Sequence, residues 1–396
     1  MFFASARTAG LEIPHANREL VYVGLIFGLL VLPRALQRYK IPAPLSSFGL
    51  GMAAALMLDA NNDNGTLSLL SILGISSLFL FAGLEIDLIG MRRAAGTLFV
   101  HLGIRTLNIS AITFAFMHFL SIPWQKASLI SLALMTPSTG FILESLGRLG
   151  LGEQEQFWVT TKAIGGEMVA LIVLFIVLQS DSMDKLAWSS GALVAMIVGL
   201  PLLFIVLGRI VVPHAPGSEF SLLVMVGLLA AYLTKSLGVY YLVGAFVAGL
   251  TARLLRDRMP DLASPQNLHA VKLFASFFVP FYFFYDGMQV PGDAIQWDSL
   301  RIGLALTLVF IPLRVGFIWI QRRLLVEEDR RSSFQVALAL TPTLIFTLVL
   351  ATILRERFGL SESWYGGLLV YAASTTMLPS IAMSKSFDLD VTDVRT

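Results

Sequence analysis

Thirteen apolar segments joined by short connections constrain this chain more than any other feature. They run approximately over 19–36, 42–59, 67–88, 96–120, 126–148, 155–179, 187–208, 218–236, 239–256, 268–290, 299–322, 332–353 and 362–383. Most are long enough for a helix to cross a hydrocarbon core roughly 30 Å thick. In lipid each backbone polar group must be satisfied internally, so the expected fold is an all-α polytopic membrane protein. Composition agrees: 56% of residues are hydrophobic and 14% charged, whereas soluble domains carry about 25% charged residues. A net charge of +2, without a basic stripe interleaved with aromatics, argues against nucleic acid as a partner. The chain has no cysteine, and its five histidines lack zinc-site spacing, so neither a metal centre nor a cofactor is expected. No catalytic motif of an intramembrane enzyme is present. The N-terminus lacks the basic-then-apolar order of a signal peptide, so the first segment reads as a retained helix.

Lys and Arg are denser in the alternate loops that hold Arg34, Arg38, Arg92, Arg93, Arg322 and Arg323. Positive loops stay inside. The N-terminus is therefore expected outside and the C-terminus in the cytoplasm, as an odd number of crossings demands.

The sixth segment, QFWVTTKAIGGEMVALIVLFIVLQS, carries Glu167 about 18 Å from its start at 1.5 Å per residue. A carboxylate near mid-bilayer costs at least about 2–3 kcal/mol unless paired, protonated or wet, and marks an ion or proton site. Gly165 and Gly166 beside it leave room for water or an ion. Two segments look interrupted. The fifth reads LALMTPSTGFILESLG around Pro137, and the twelfth reads ALALTPTLIFTLVLA around Pro342. Each proline removes a helical hydrogen bond. Hydroxyls cluster at both breaks: Thr136, Ser138 and Thr139 in one, Thr341 and Thr343 in the other. Paired broken helices in corresponding places of two halves point to a transporter binding site. Their separation by seven segments gives the halves opposite topology.

Arg314, in segment eleven, lies within roughly one turn of Glu167 in depth, which makes it the expected charge partner; snorkelling to the cytoplasmic surface is its other reading. Under the seven-segment offset, segment eleven corresponds to segment four, which carries Arg105. Lys162 has two readings, a second titrating group or a structural partner on the Glu167 helix. Asp286 near the outer end of segment ten and Glu144 near the inner end of segment five are candidates for lining ion funnels, with an interface or loop-anchoring role the plainer reading of Asp286. Gly238, Gly244 and Gly249 are expected to serve close helix packing.

IPAPLSSFGLGMAAALML, LFLFAGLEIDL, LALMTPSTGFILESLGRLGL, YYLVGAFVAGL and FFVPFYFFYDGM, in that order on thirteen crossings, resemble the monovalent cation:proton antiporters of the Kef-type (second) branch. The resemblance covers nearly the whole chain, membrane domain only. It implies inverted repeats with two discontinuous helices crossing near the ion site, as in sodium/proton antiporters. It further implies dimerisation helices over 1–90 and 211–292, core helices over 91–180 and 293–386, a linking helix over 181–210, and a short cytoplasmic tail over 387–396. A homodimer in a bacterial inner membrane would follow. So would antiport of Na+ or K+ against H+ with a segment-six carboxylate, here Glu167, as the shared site and a segment-eleven base, here Arg314, beside it. One acid exchanging one proton for one monovalent cation makes transport electroneutral. The family usually has aspartate at this place, preceded by Asp, Asn or Gln; this chain has Gly166-Glu167. The rival reading is an organic-anion carrier on the same scaffold, with Arg314 holding the anion.

Overall fold

Residues 18–58, 65–325 and 329–383 are described by a computed structural model. All their regular elements are helices. They are α1 (Arg18–Leu36), α2 (Ala43–Leu58), α3 (Gly65–Leu84), α4 (Leu88–Arg93), α5 (Ala95–Leu120), α6 (Trp124–Met135), α7 (Thr139–Ser145) and α8 (Glu153–Gln179). The second half holds α9 (Met183–Ile210), α10 (Glu219–Ser236), α11 (Tyr241–Leu254), α12 (Pro265–Met288), α13 (Trp297–Leu325), α14 (Arg330–Ala339), α15 (Leu344–Phe358) and α16 (Glu362–Ala382). Among the described residues, eight spans are long and apolar enough to cross a membrane, or nine if α14 and α15, bent by 41°, count as one; α2 and α11 are shorter apolar helices. The expected first and last crossings, α1 and α16, fall outside that set, so thirteen is an approximate count. Segment three also ends earlier than its hydropathy suggested. The helix stops at Leu84, and Asp87 accepts a hydrogen bond from the Gly90 amide (3.0 Å) to cap the separate helix α4.

Helices pack in two groups. In one, α3 lies against α11 and α12, α2 against α12, and α10 against α11. In the other, α13 and α15 lie against α16, and α6 against α5 and α15. The groups meet where α3 touches α7, and where Phe79 of α3 stands edge-on to Phe346 of α15 at 6.2 Å. Prolines inside α1, α9, α12, α13 and α16 leave those helices continuous. A proline alone does not break a membrane helix; the freed groups must find other partners.

The first group depends on backbone contact. A side chain on Gly249 of α11 would lie 3.0 Å from the Leu84 amide nitrogen and 3.1 Å from the Gly83 Cα. Small residues at such crossings let helices approach closely enough for van der Waals packing to hold them. Gly249→Leu is expected to destabilise the protein by at least about 1–3 kcal/mol, the usual cost of overpacking, read as a lower melting temperature in detergent. Gly238 does different work from the packing expected of it. Its φ of +77° turns the chain between α10 and α11, a conformation glycine enters without a steric penalty.

Candidate ion-binding site

At both breaks the Thr-Pro dipeptide ends a helix inside the protein, and the last carbonyls of that helix lose their usual donors. Each finds a substitute from a distant element. At the end of α6, Ala133 O accepts from the Thr347 hydroxyl (2.8 Å), Leu134 O from the Tyr371 hydroxyl (2.6 Å) and Met135 O from Arg105 Nη2 (2.6 Å). At the end of α14, Arg314 donates from Nη2 to Leu340 O (2.9 Å) and from Nη1 to Thr341 O (2.8 Å). The same Nη1 donates to the Tyr371 hydroxyl (3.2 Å), so Tyr371 bridges the two breaks. The breaks also bind each other directly. The Ser138 amide donates to Pro342 O (2.8 Å), and the Ser138 hydroxyl accepts from the amides of Ile345 (2.9 Å) and Phe346 (3.4 Å), capping α15.

Arg105 on α5 and Arg314 on α13 thus do the same work in the two halves. A guanidinium at a helix C-terminus offsets the negative end of the dipole and satisfies carbonyls together. Both side chains are buried. No ion pair joins Arg314 to Glu167 here: among the described residues the ion pairs are Lys185–Asp181 and Arg301–Asp298, both exposed. Arg314 instead spends its guanidinium on the carbonyls at the end of the broken helix α14.

Glu167 is 1% exposed on α8. Its carboxylate faces the hydroxyl and amide of Thr139, at the start of α7, with a geometry short of a hydrogen bond; the other charge acting on it is Arg105. Its Oε2 has no hydrogen-bond partner, and neither do the buried hydroxyls of Thr136 and Thr139. Three oxygens, one of them charged, are therefore buried around the first break without donors. Oxygen donors of this kind suit a hard cation. The other hydroxyls expected in the shell are engaged elsewhere: Ser138 in the α15 cap, Thr341 on Leu338 O (2.7 Å), and Thr343 with Thr375 (3.0 Å). The notch at Gly166 holds a side chain, not water or an ion. An added Cβ there would lie 2.8 Å from Arg105 Cζ, and one on Gly165 would lie 3.1 Å from Leu102.

Lys162 is 1% exposed, with its amine 6.0 Å from the Trp158 ring centre. Asp286 sits near the end of α12, half-buried, with Arg355, Glu356 and the phenols of Tyr240, Tyr282 and Tyr365 around it, away from the crossing. Glu144 belongs to α7, but its side chain lies outside the described ones. Tyr371, Thr347, Thr375 and the His101–Gln321 hydrogen bond (2.7 Å) carry no sequence signal beyond being polar groups in apolar helices. A cavity of about 280 Å³ between α1, α2, α3 and α12 reaches Gly140, the chain neighbour of Thr139. On the opposite end, where α12 and α15 finish, Arg355 donates to Gln289 O (3.3 Å) and Arg357 to Gly238 O (3.0 Å), holding the two packing groups together.

Comparison with known proteins gives one consistent result. A family described as sodium/hydrogen exchanger, transmembrane, matches residues 24–384. Two solved structures of the sodium proton antiporter MjNhaP1 from Methanocaldococcus jannaschii share the fold. One, at pH 8, has TM-score 0.65 and 16% identity over 92% of this chain and 96% of that one. The other, from an electron-microscopy map, has TM-score 0.64 and 14% identity over 91% and 94%. No curated protein sequence matches the chain.

Proposed function

The chain belongs to the sodium/hydrogen exchanger family, and on that premise we propose that it exchanges Na+ or K+ for H+ by alternating access, with Glu167 as the shared site. It is an integral membrane cation:proton antiporter; the ion, the site residue and the stoichiometry are this proposal's own. The observation that carries the site is the buried Glu167 carboxylate whose Oε2 has no partner, facing Thr139 at the first break, where the hydroxyls of Thr139 and Thr136 are equally without one. A monovalent cation entering there gains one charge and several oxygens. A proton neutralises the same carboxylate. Competition between the two at one carboxylate exchanges one for one, which is electroneutral.

The two packing groups supply the moving parts. The group of α5–α8 and α13–α16 contains both breaks and serves as the core; α1–α3 and α10–α12 serve as the static and dimerising group, with α9 between. Because each break is capped by the other, the core shifts as a unit. The 280 Å³ cavity marks the open side, and the Arg355 and Arg357 contacts mark the closed one. On this reading the open side faces the cytoplasm, which the bias of Lys and Arg in the loops supports, and the membrane is a bacterial inner membrane. The organic-anion reading needs a guanidinium available to substrate, and the terminal nitrogens of Arg314 are bound to carbonyls.

The test is proton movement in proteoliposomes. Adding Na+, K+ or Li+ to purified protein is expected to dissipate an imposed pH gradient, without generating a membrane potential, and the responding ion gives the selectivity. If no cation moves protons, the antiport reading is lost and labelled organic anions become the substrates to try.

A further inference from the structure

We propose that Arg105 is a built-in counter-ion of Glu167, seated in the notch left by Gly166, and that this Arg105–Gly166 pair sets how tightly the transported cation binds. The inference rests on Glu167 being the ion site.

The geometry is specific. Arg105 reaches from α5 to α8 and is anchored by its Nη2 to Met135 O (2.6 Å). Its guanidinium then lies against the backbone of Gly166: an added Cβ would be 2.8 Å from Cζ, 2.9 Å from Nη1 and 3.0 Å from Nε. Any side chain at 166 would push it away. Glu167 is the next residue, and Arg105 is the arginine whose charge acts on it, whereas the charge of Arg314 acts on Arg105. Arg105 Nε is buried and has no hydrogen-bond partner, so one donor is still unspent.

The chemistry follows from two properties of arginine. A guanidinium does not lose its proton in a protein, so Arg105 is a constant charge that never exchanges. Its Met135 anchor fixes its place, so it cannot withdraw when a cation arrives. A cation at Glu167 therefore binds against a standing positive charge, which keeps affinity low and release fast. In an antiporter this matters, because a site that binds too tightly stops turning over. The other buried charged or titratable groups near α8 are Lys162 on the same helix, His101 on α5, Arg314 and Arg322 on α13, the latter 5.6 Å from the Trp158 ring centre, and Tyr371 on α16; Glu167 and Arg105 are adjacent across Gly166. The missing side chain at 166 reads as the condition for the counter-ion, where a polar residue there would have been a second ligand.

The experiment compares wild type with Arg105→Gln, Arg105→Lys and Gly166→Ala in two readouts: the cation dependence of proton flux in proteoliposomes, and cation-dependent thermal shift in detergent. Arg105→Gln removes the charge, and its shorter side chain also gives up the bond that Nη2 makes to Met135 O. It is expected to lower the apparent KM for the cation roughly tenfold, the size of one fixed charge several ångströms away in a protein interior, with a smaller fall in maximal rate. Arg105→Lys is expected to stay within about twofold of wild type. Gly166→Ala, which removes no charge, is expected to lower KM in the same direction by displacing the guanidinium, and it carries the test if Arg105→Gln fails to fold. An unchanged or raised KM in Arg105→Gln or Gly166→Ala, beside a responding wild type, overturns the counter-ion. A wild type that shows neither flux nor thermal shift overturns the site reading beneath it.

Discussion

Glu167→Gln abolishes cation-driven proton movement, lowering it by at least roughly a hundredfold, the equivalent of about 2.7 kcal/mol, while the protein stays folded. Glutamine has nearly the same shape but can neither release a proton nor offer a charge to a cation. The effect on stability is expected to be smaller than for most core substitutions. The carboxylate is 1% exposed and its Oε2 has no partner, so the wild type carries the cost of a buried, incompletely paired charge. Replacing it with a neutral amide relieves that cost but leaves the buried Arg105 guanidinium without its counter-charge, so a melting temperature close to that of wild type is expected. The check is a pair of measurements on one preparation, proton flux in proteoliposomes and melting temperature in detergent. Flux equal to wild type moves the site elsewhere, with Asp286 and Lys162 next in line. Loss of flux with a large drop in melting temperature would make Glu167 structural.

Arg314→Ala has the larger effect on folding. The substitution strips donors from Leu340 O and Thr341 O and leaves the Tyr371 hydroxyl without its Arg314 contact. Unmade hydrogen bonds to buried groups cost about 1–3 kcal/mol each. The sum over the two carbonyls, about 2–6 kcal/mol, is comparable to the whole stability of many proteins, which is about 5–15 kcal/mol. Loss of the monodisperse peak in size-exclusion chromatography is expected, with Arg314→Lys intermediate because one amine cannot serve two carbonyls as a fork does. The double substitution Glu167→Gln with Arg314→Ala discriminates further. If Arg314 were the counter-charge of Glu167, neutralising both would restore the fold. The carbonyl role predicts that the double variant is no better than Arg314→Ala alone.

Much of the architecture was legible because hydropathy reports it directly. Segment six, read as 155–179, is α8 over Glu153–Gln179, and the tenth, read as 268–290, is α12 over Pro265–Met288. The breaks at Pro137 and Pro342 were legible too, since proline next to hydroxyls in an apolar run is a local signal. What caps those breaks was not. Tyr371 and Thr347 reach partners 237 and 214 residues away, and one hydroxyl in a helix looks like any other until the fold brings it to a bare carbonyl. Arg105 shows the limit most clearly. The repeat marked it as the counterpart of Arg314, but its place beside Glu167 depends on a glycine whose missing side chain has two readings, space for water or space for another residue. Ser138, Thr341 and Thr343 were grouped with Thr136 and Thr139 because sequence shows a hydroxyl, not where its hydrogen goes.

The long reach of these caps also sets an order of events during synthesis. The amides that the Ser138 hydroxyl caps arrive 207 residues after it, and Tyr371 arrives 237 residues after Leu134. At ~5–20 residues per second, that is a delay of roughly 10–50 s. For that interval the carboxyl end of α6 has been made, and Arg105 is already present for Met135 O, but the donors to Ala133 O and Leu134 O have not arrived. Bare carbonyls are not tolerated in lipid, so the fifth crossing has to wait beside water or the insertion machinery until the twelfth and thirteenth are delivered. The ion site is therefore among the last parts of this membrane protein to assemble, and a ribosome that stops before α16 leaves a chain whose centre cannot yet close.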